Sequence, residues 1–183
     1  MAILIPGANA ALTAENPGLT SVMVGIGWNV VPSRGPASEP IPTAILCGVD
    51  GTALSDEHLV FFNQIIDPAA SVRFIGDEDR EQIDVDLTRV PAEVHKISFV
   101  VYIDPDLRGP GTFASVRDAH IRIADPSGRE LVRFPIPADT AANVSAMIFG
   151  DLYRHAGGWK FRAIGQGYTD GLSGIAADFR LSI

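Results

Sequence analysis

Six of the ten side chains from Asp77 to Asp86 are carboxylates, set against a single guanidinium at Arg80. Asp77, Asp79 and Glu81 alternate along the approach to a candidate strand, so in an extended chain their side chains share one side and can converge on a hard cation. Ca²⁺ suits such donors, because it takes about six to eight oxygens in a flexible geometry. Asp84 and Asp86 fall instead on the outer face of the strand, where solvated acids need no ligand. A charge run of this kind is ordinarily wet surface, and solvation is therefore the competing reading of the whole cluster. The EF-hand spacing D-x-D-x-D-G with a distal Glu is absent. Any calcium site must be assembled from separate loops.

The templates for catalysis fit poorly. His58, His95, His120 and His155 occur singly, with neither an HExxH run nor a Cys/His spacing that would hold zinc. Gly171-Leu172-Ser173-Gly174 lacks the glycine spacing of a nucleophile elbow, and Ser173 falls in a short C-terminal helical stretch rather than at a strand-to-helix turn. Gly25-x-Gly27 and Gly165-x-Gly167 lie inside candidate strands without the third glycine and following helix of a dinucleotide site. They read as places where another layer of the fold approaches closely. His155, beside Arg154 at a turn, has no orienting acid in sequence reach and reads as polar surface. The residues describe a protein that is not an enzyme, with a small hydrolase using Ser173 or His155 as the catalytic alternative.

The elements that must position the acidic cluster follow from composition and period. The chain has 183 residues, 46% of them hydrophobic and 20% charged, enough to bury one core and too apolar for a disordered chain. A single domain over residues 1–183 is expected. The net charge of -8 has the wrong sign for phosphate, which argues against nucleic acid and anionic membrane surfaces as partners. The single Cys47 closes no internal disulfide, sits in an apolar stretch where a buried thiol is expected, and fits a reducing cytoplasm. The first 14 residues carry no charged side chain, but they lack a basic start and are broken by Pro6, Gly7 and Asn9, unlike a signal peptide. Pro17, Gly18, Gly25, Gly27 and Asn29 likewise argue against a membrane span at residues 16–33.

The 18 glycines and 13 prolines point to short elements joined by many turns. Val22, Val24, Ile26 and Trp28 alternate with small residues, and Ile83, Val85 and Leu87 alternate with Gln82, Asp84 and Asp86. Both read as half-buried strands. Residues 96–103 (KISFVVYI) are apolar on both faces and predict a central strand covered above and below. Further strands are expected at 43–47, 58–62, 71–75, 119–124 and 130–134, and residues 146–154 and 159–167 form a hairpin around His155-Ala156-Gly157-Gly158. Short helices are expected at 112–118 and from a Thr169 or Asp170 cap through Asp178. The fold class is all-β, a two-layer β-sandwich with a few short helices. Its expected core includes Val22, Val24, Ile26, Trp28, Ile83, Val85, Leu87, Ile97, Phe99 and Val101. Arg154, Trp159, Lys160 and Arg162 belong to the hairpin, with Lys160 and Arg162 facing outward toward acids.

The string from Tyr153 to Tyr168 (YRHAGGWKFRAIGQGY) resembles the closing signature of the TerD family of bacterial tellurium-resistance and stress-response proteins. Leu19 to Trp28, Leu54 to Asn63, Gly76-Asp77, Gln82-Ile83 and Leu87 to Pro91 follow the order of that family, and the resemblance runs from about Leu4 to Asp178. It implies a calcium-associated β-sandwich in the cytoplasm, active in stress response and without catalytic activity. Where the family carries Asp after the tryptophan, this chain has Asn29. Where the family has an acidic Asp-Leu-Asp-Ala-Ser strand, it reads Pro40-Ile41-Pro42-Thr43-Ala44. The loop before Gln82 is shortened, with Asp77 matching its first Asp and Glu81 its Glu. The resemblance implies Asp77, Asp79 and Glu81 as metal ligands and Ca²⁺ binding that is weakened or lost. Asn29 and Asn63 are the side chains that could complete such a site. The alternative is an interaction module whose acidic loop and strand, with Asp84 and Asp86, dock an unidentified protein partner.

Overall fold

The structure, a computed structural model, describes residues 1–31, 39–76, 81–104, 111–138 and 143–183. In chain order its strands are β1 (Ala2–Ile3), β2 (Asn9–Ala11), β3 (Ser21–Val30), β4 (Pro40–Cys47), β5 (Leu59–Val60), β6 (Val72–Phe74), β7 (Glu81–Asp86), β8 (Lys96–Ile103), β9 (Val116–Ala124), β10 (Glu130–Pro135), β11 (Ala146–His155) and β12 (Gly158–Tyr168). One helix, α1 (Leu172–Phe179), follows, and single 3₁₀ turns form at Asp56–His58 and Phe113–Ser115. The strands make two six-stranded sheets, ordered β1-β10-β9-β3-β7-β6 and β2-β12-β11-β8-β4-β5. Their inner faces share one apolar core, as the two-layer sandwich requires.

Alternation sets which side chains enter that core. Val22, Val24 and Ile26 of β3 and Ile83 and Val85 of β7 are buried, and they pair directly as Val22↔Val85 and Val24↔Ile83. On β8, Ile97, Phe99, Val101 and Ile103 join the core between the sheets, whereas Val100 and Tyr102 join a second cluster with Ile45, Ile148, Ile175 and Phe179. The double-sided apolarity of this strand is therefore matched by a sheet on one face and by α1 on the other. Among the described residues no helix is long and apolar enough to cross a membrane.

Four local expectations are corrected. Trp28 is only half-buried, because the register between β3 and β9 shifts at Gly27/Asn29 and the bulge turns the indole out of strict alternation. Gly25 and Gly27 do not admit another sheet; a Cβ would stand 2.8 Å from Arg122 Nε at Gly25 and 2.6 Å from His120 Cε1 at Gly27. The outer face of β3 is covered by side chains of its neighbour β9. Helix α1 starts at Leu172 with Gly171 at its cap and no side-chain cap, so neither Thr169 nor Asp170 serves there. The β11–β12 hairpin is tighter than read: His155 pairs with Gly158 around Ala156 and Gly157, which have φ of 48° and 78° and fit a two-residue I′-type turn.

Candidate functional site

Antiparallel pairing of β4 with β8 brings Pro40 opposite Ile103, and the Asp104 amide donates to the Glu39 carbonyl at 3.2 Å. Two acids 65 positions apart in sequence thus meet where these strands end. In the other sheet, β6 and β7 bring Phe74, Gly76 and Glu81 to the same end. The result is an open cleft of about 920 Å³ lined by Glu39, Pro40, Ile41, Pro42, Phe62, Phe74, Gly76, Glu81 and Asp104. That volume lies within the usual range for small ligand sites, about 300 to 1,000 Å³.

Glu81 opens β7 and is half-buried, with Oε2 3.8 Å from where a Cβ on Gly76 would stand. Gly76 holds a φ of 64°, a conformation glycine adopts without steric cost, and it returns the chain from β6 toward the acidic segment. Asp77 and Asp79 lie outside the described residues. Of the three expected metal ligands, Glu81 alone falls among the described residues, where it shares the cleft lining with Glu39 and Asp104. Neither Glu39 nor Asp104 has a local sequence signal: each is one acid beyond the end of an apolar strand, and only strand register makes them neighbours. Among the described residues, no three His, Cys, Asp or Glu side chains are grouped so as to hold a metal ion. The remaining lining, Pro40, Ile41, Pro42, Phe62, Phe74 and Gly76, offers no side-chain oxygen.

The other singled-out residues are placed elsewhere. Asp84 accepts from Gln82 Nε2 at 2.7 Å, and Asp86 accepts from the Thr88 amide at 3.0 Å and hydroxyl at 2.6 Å. Both outer-face acids thus serve local hydrogen bonds. Asn29 Nδ2 donates to Asp118 Oδ2 at 2.9 Å and lines a different cleft with His120 and Arg133. Asn63 is exposed beyond β5. Cys47 is buried, and desolvation pushes its thiol up to about 12, so it is protonated at neutral pH. Ser173 donates to the Asp170 carbonyl at 2.7 Å in a pocket whose lining includes no histidine, and His155 is exposed on the hairpin turn.

The hairpin residues are structural. Arg154 stacks over Trp159 at 4.5 Å, and Arg162 lies over Tyr153 at 4.8 Å. The expected pairing of Lys160 and Arg162 with acids is not found among the described ion pairs. Lys160→Ala should change the unfolding free energy by less than about 0.5 kcal/mol in urea melts. A larger loss would assign Lys160 a structural contact beyond these.

Fold and site together define a β-sandwich with an acidic, partly apolar cleft at one end. The same fold occurs in the crystal structure of a homologue of telluride resistance protein (TerD) from Streptomyces coelicolor A3(2), with a TM-score of 0.68, 22% identity, and coverage of 87% of this chain and 96% of that one. The TerD domain model matches residues 1–179, and the chain belongs to the TerD family. It is 35% identical to Tellurium resistance protein TerD of Serratia marcescens, over 98% of this chain and 97% of that protein. It is 36% identical to General stress protein 16U of Bacillus subtilis (strain 168), again over 98% and 97%.

Proposed function

We propose that the protein is a non-enzymatic, cytoplasmic stress-response member of the TerD family whose cleft binds Ca²⁺ weakly. The observation that carries this reading is the arrival of Glu39, Glu81 and Asp104 at one cleft, with Asp77 and Asp79 close to Glu81 in sequence. Carboxylate oxygens are the donors calcium prefers. The described carboxylates do not by themselves form a metal-binding group, and Pro40, Ile41 and Pro42 stand where the family's acidic strand would contribute oxygens. Backbone carbonyls and water would have to complete the shell, which predicts low affinity. The apolar wall supports a second reading, in which a protein partner occupies the cleft.

A calcium titration of the chelator-stripped protein tests the first reading. Calcium at about 100 times its dissociation constant, bound to the native state alone, adds about 2.7 kcal/mol. At roughly 2 to 4 °C per kcal/mol for a domain of this size, an intact site would raise Tm by about 5 °C or more. The expected result is a smaller rise in millimolar calcium, abolished by the Asp77→Asn, Glu81→Gln pair. A large rise at micromolar calcium would overturn the weakened-site reading. A flat response in both melting and calorimetry would leave the partner reading.

A further inference from the structure

We propose that the cleft docks a basic segment of a partner protein through an apolar anchor, an inference that rests on the cleft being the binding site of the molecule. Its lining combines two chemistries that a bare cation would not need together. Pro40, Ile41, Pro42, Phe62 and Phe74 form an apolar wall, and three carboxylates share the lining with them, the exposed Glu39 and the half-buried Glu81 and Asp104. Phe62 is 50% exposed, with its ring edge-on to Phe61 at a centroid distance of 5.3 Å. The backbone extends this wall outward. Phe74 donates its amide to the Ile65 carbonyl at 2.8 Å, which sets Ile65, 53% exposed, across from Phe74. Scattered exposed apolar residues are ordinary, but Phe62 and Ile65 stand exposed beside a concave apolar wall, which marks an interaction surface.

The charge selects the occupant. Complementary potential sets which partners approach and which are rejected, and this protein carries a net charge of -8. Anionic lipid, nucleic acid and acidic peptides are repelled from such a cleft. Protein interfaces combine aromatic and aliphatic anchors with charged groups, and Phe62 and Glu39 are the two exposed side chains of this lining. The matching ligand is a Lys- or Arg-bearing segment that inserts an aliphatic or aromatic side chain.

The test uses the full chain and a fluorescein-labelled peptide of alternating Lys and Leu, followed by fluorescence anisotropy. Two control peptides replace every Lys by Glu or every Leu by Ser. The Lys-Leu peptide should bind at least about tenfold tighter than either control, since both charge and anchor contribute. Phe62→Ser should weaken binding about tenfold and Glu39→Gln about threefold, whereas Glu15→Gln, an exposed acid in the loop after β2, should leave it unchanged. Phe62 and Glu39 are both exposed, so these substitutions spare the core, and unchanged melting confirms it. No binding of the Lys-Leu peptide, or binding unaffected by Phe62→Ser and Glu39→Gln, overturns the proposal. In that event, a calcium response that depends on Glu81 overturns the docking inference alone, and its absence overturns the cleft as a binding site altogether.

Discussion

Phe99→Ala should lower the unfolding free energy by about 3 to 5 kcal/mol, the range for deleting a fully buried aromatic side chain. Phe99 has no exposed surface and sits midway along β8, paired with Ala44 of β4 on one side and Gly150 of β11 on the other. Both flanking residues are small. The space over Gly150 is taken by the ring of Phe161 of β12, itself fully buried, so the two rings share this layer of the core. At roughly 2 to 4 °C per kcal/mol, Tm should drop by about 6 to 20 °C. In urea the midpoint should fall at a nearly constant slope, because the surface exposed on unfolding changes little. Phe99→Leu, which keeps most of the apolar volume, should cost clearly less. An unchanged midpoint for the alanine variant would remove Phe99 from the core.

The inward positions of β3 and β7 were legible in the sequence because burial on one face imposes a period of two, and Phe99 was legible because the unbroken apolar run of β8 marks a strand covered on both faces. What failed depended on partners. The close approach at Gly25 and Gly27 was legible, but not that Arg122 and His120 supply it, since the pairing of β3 with β9 joins residues about a hundred positions apart. Strands β1 and β2 have two and three residues, too few to show a period, and the parallel pairing of β1 with β10, Ala2↔Val132 and Ile3↔Arg133, joins the two ends of a 130-residue separation. The bulge that turns Trp28 has the same origin. At the cleft, Glu81 was readable from its acidic neighbourhood, whereas Glu39 and Asp104 became visible only once Pro40 was opposite Ile103. Charge runs announce themselves in sequence; single acids brought together by register do not.

Arg154→Ala should cost about 2 to 4 kcal/mol, although the side chain touches none of the cleft residues described above. Its guanidinium donates from Nε to the Val94 carbonyl at 2.8 Å, and from Nη2 to the carbonyls of Val90 and Pro91 at 2.9 and 3.0 Å. These acceptors belong to the loop that carries the chain from β7 into β8. Val90 and Val94 bury their side chains in the core, so the loop must lie flat with its carbonyls directed inward to the hairpin. Burial draws the guanidinium below its usual pKa, yet arginine stays charged at neutral pH, and the stack on Trp159 shields one face. Truncation would remove three charge-assisted bonds together and take from the Val90 and Val94 carbonyls their guanidinium donor, whereas Pro91 keeps the Val94 amide. Arg154→Lys should recover little of the loss, because one ammonium cannot reproduce a planar fork that reaches three carbonyls. Hydrogen exchange separates this from a general loosening: the Val94 and His95 amides, which bond to the carbonyls of Pro91 and Cys47, should lose protection first. The proposed calcium titration should give the same result in this variant as in the wild type, since the guanidinium lies at the β7–β8 loop and the cleft carboxylates lie at the start of β4, the end of β8 and the start of β7. A variant as stable as the wild type would show that the hairpin holds this loop without Arg154.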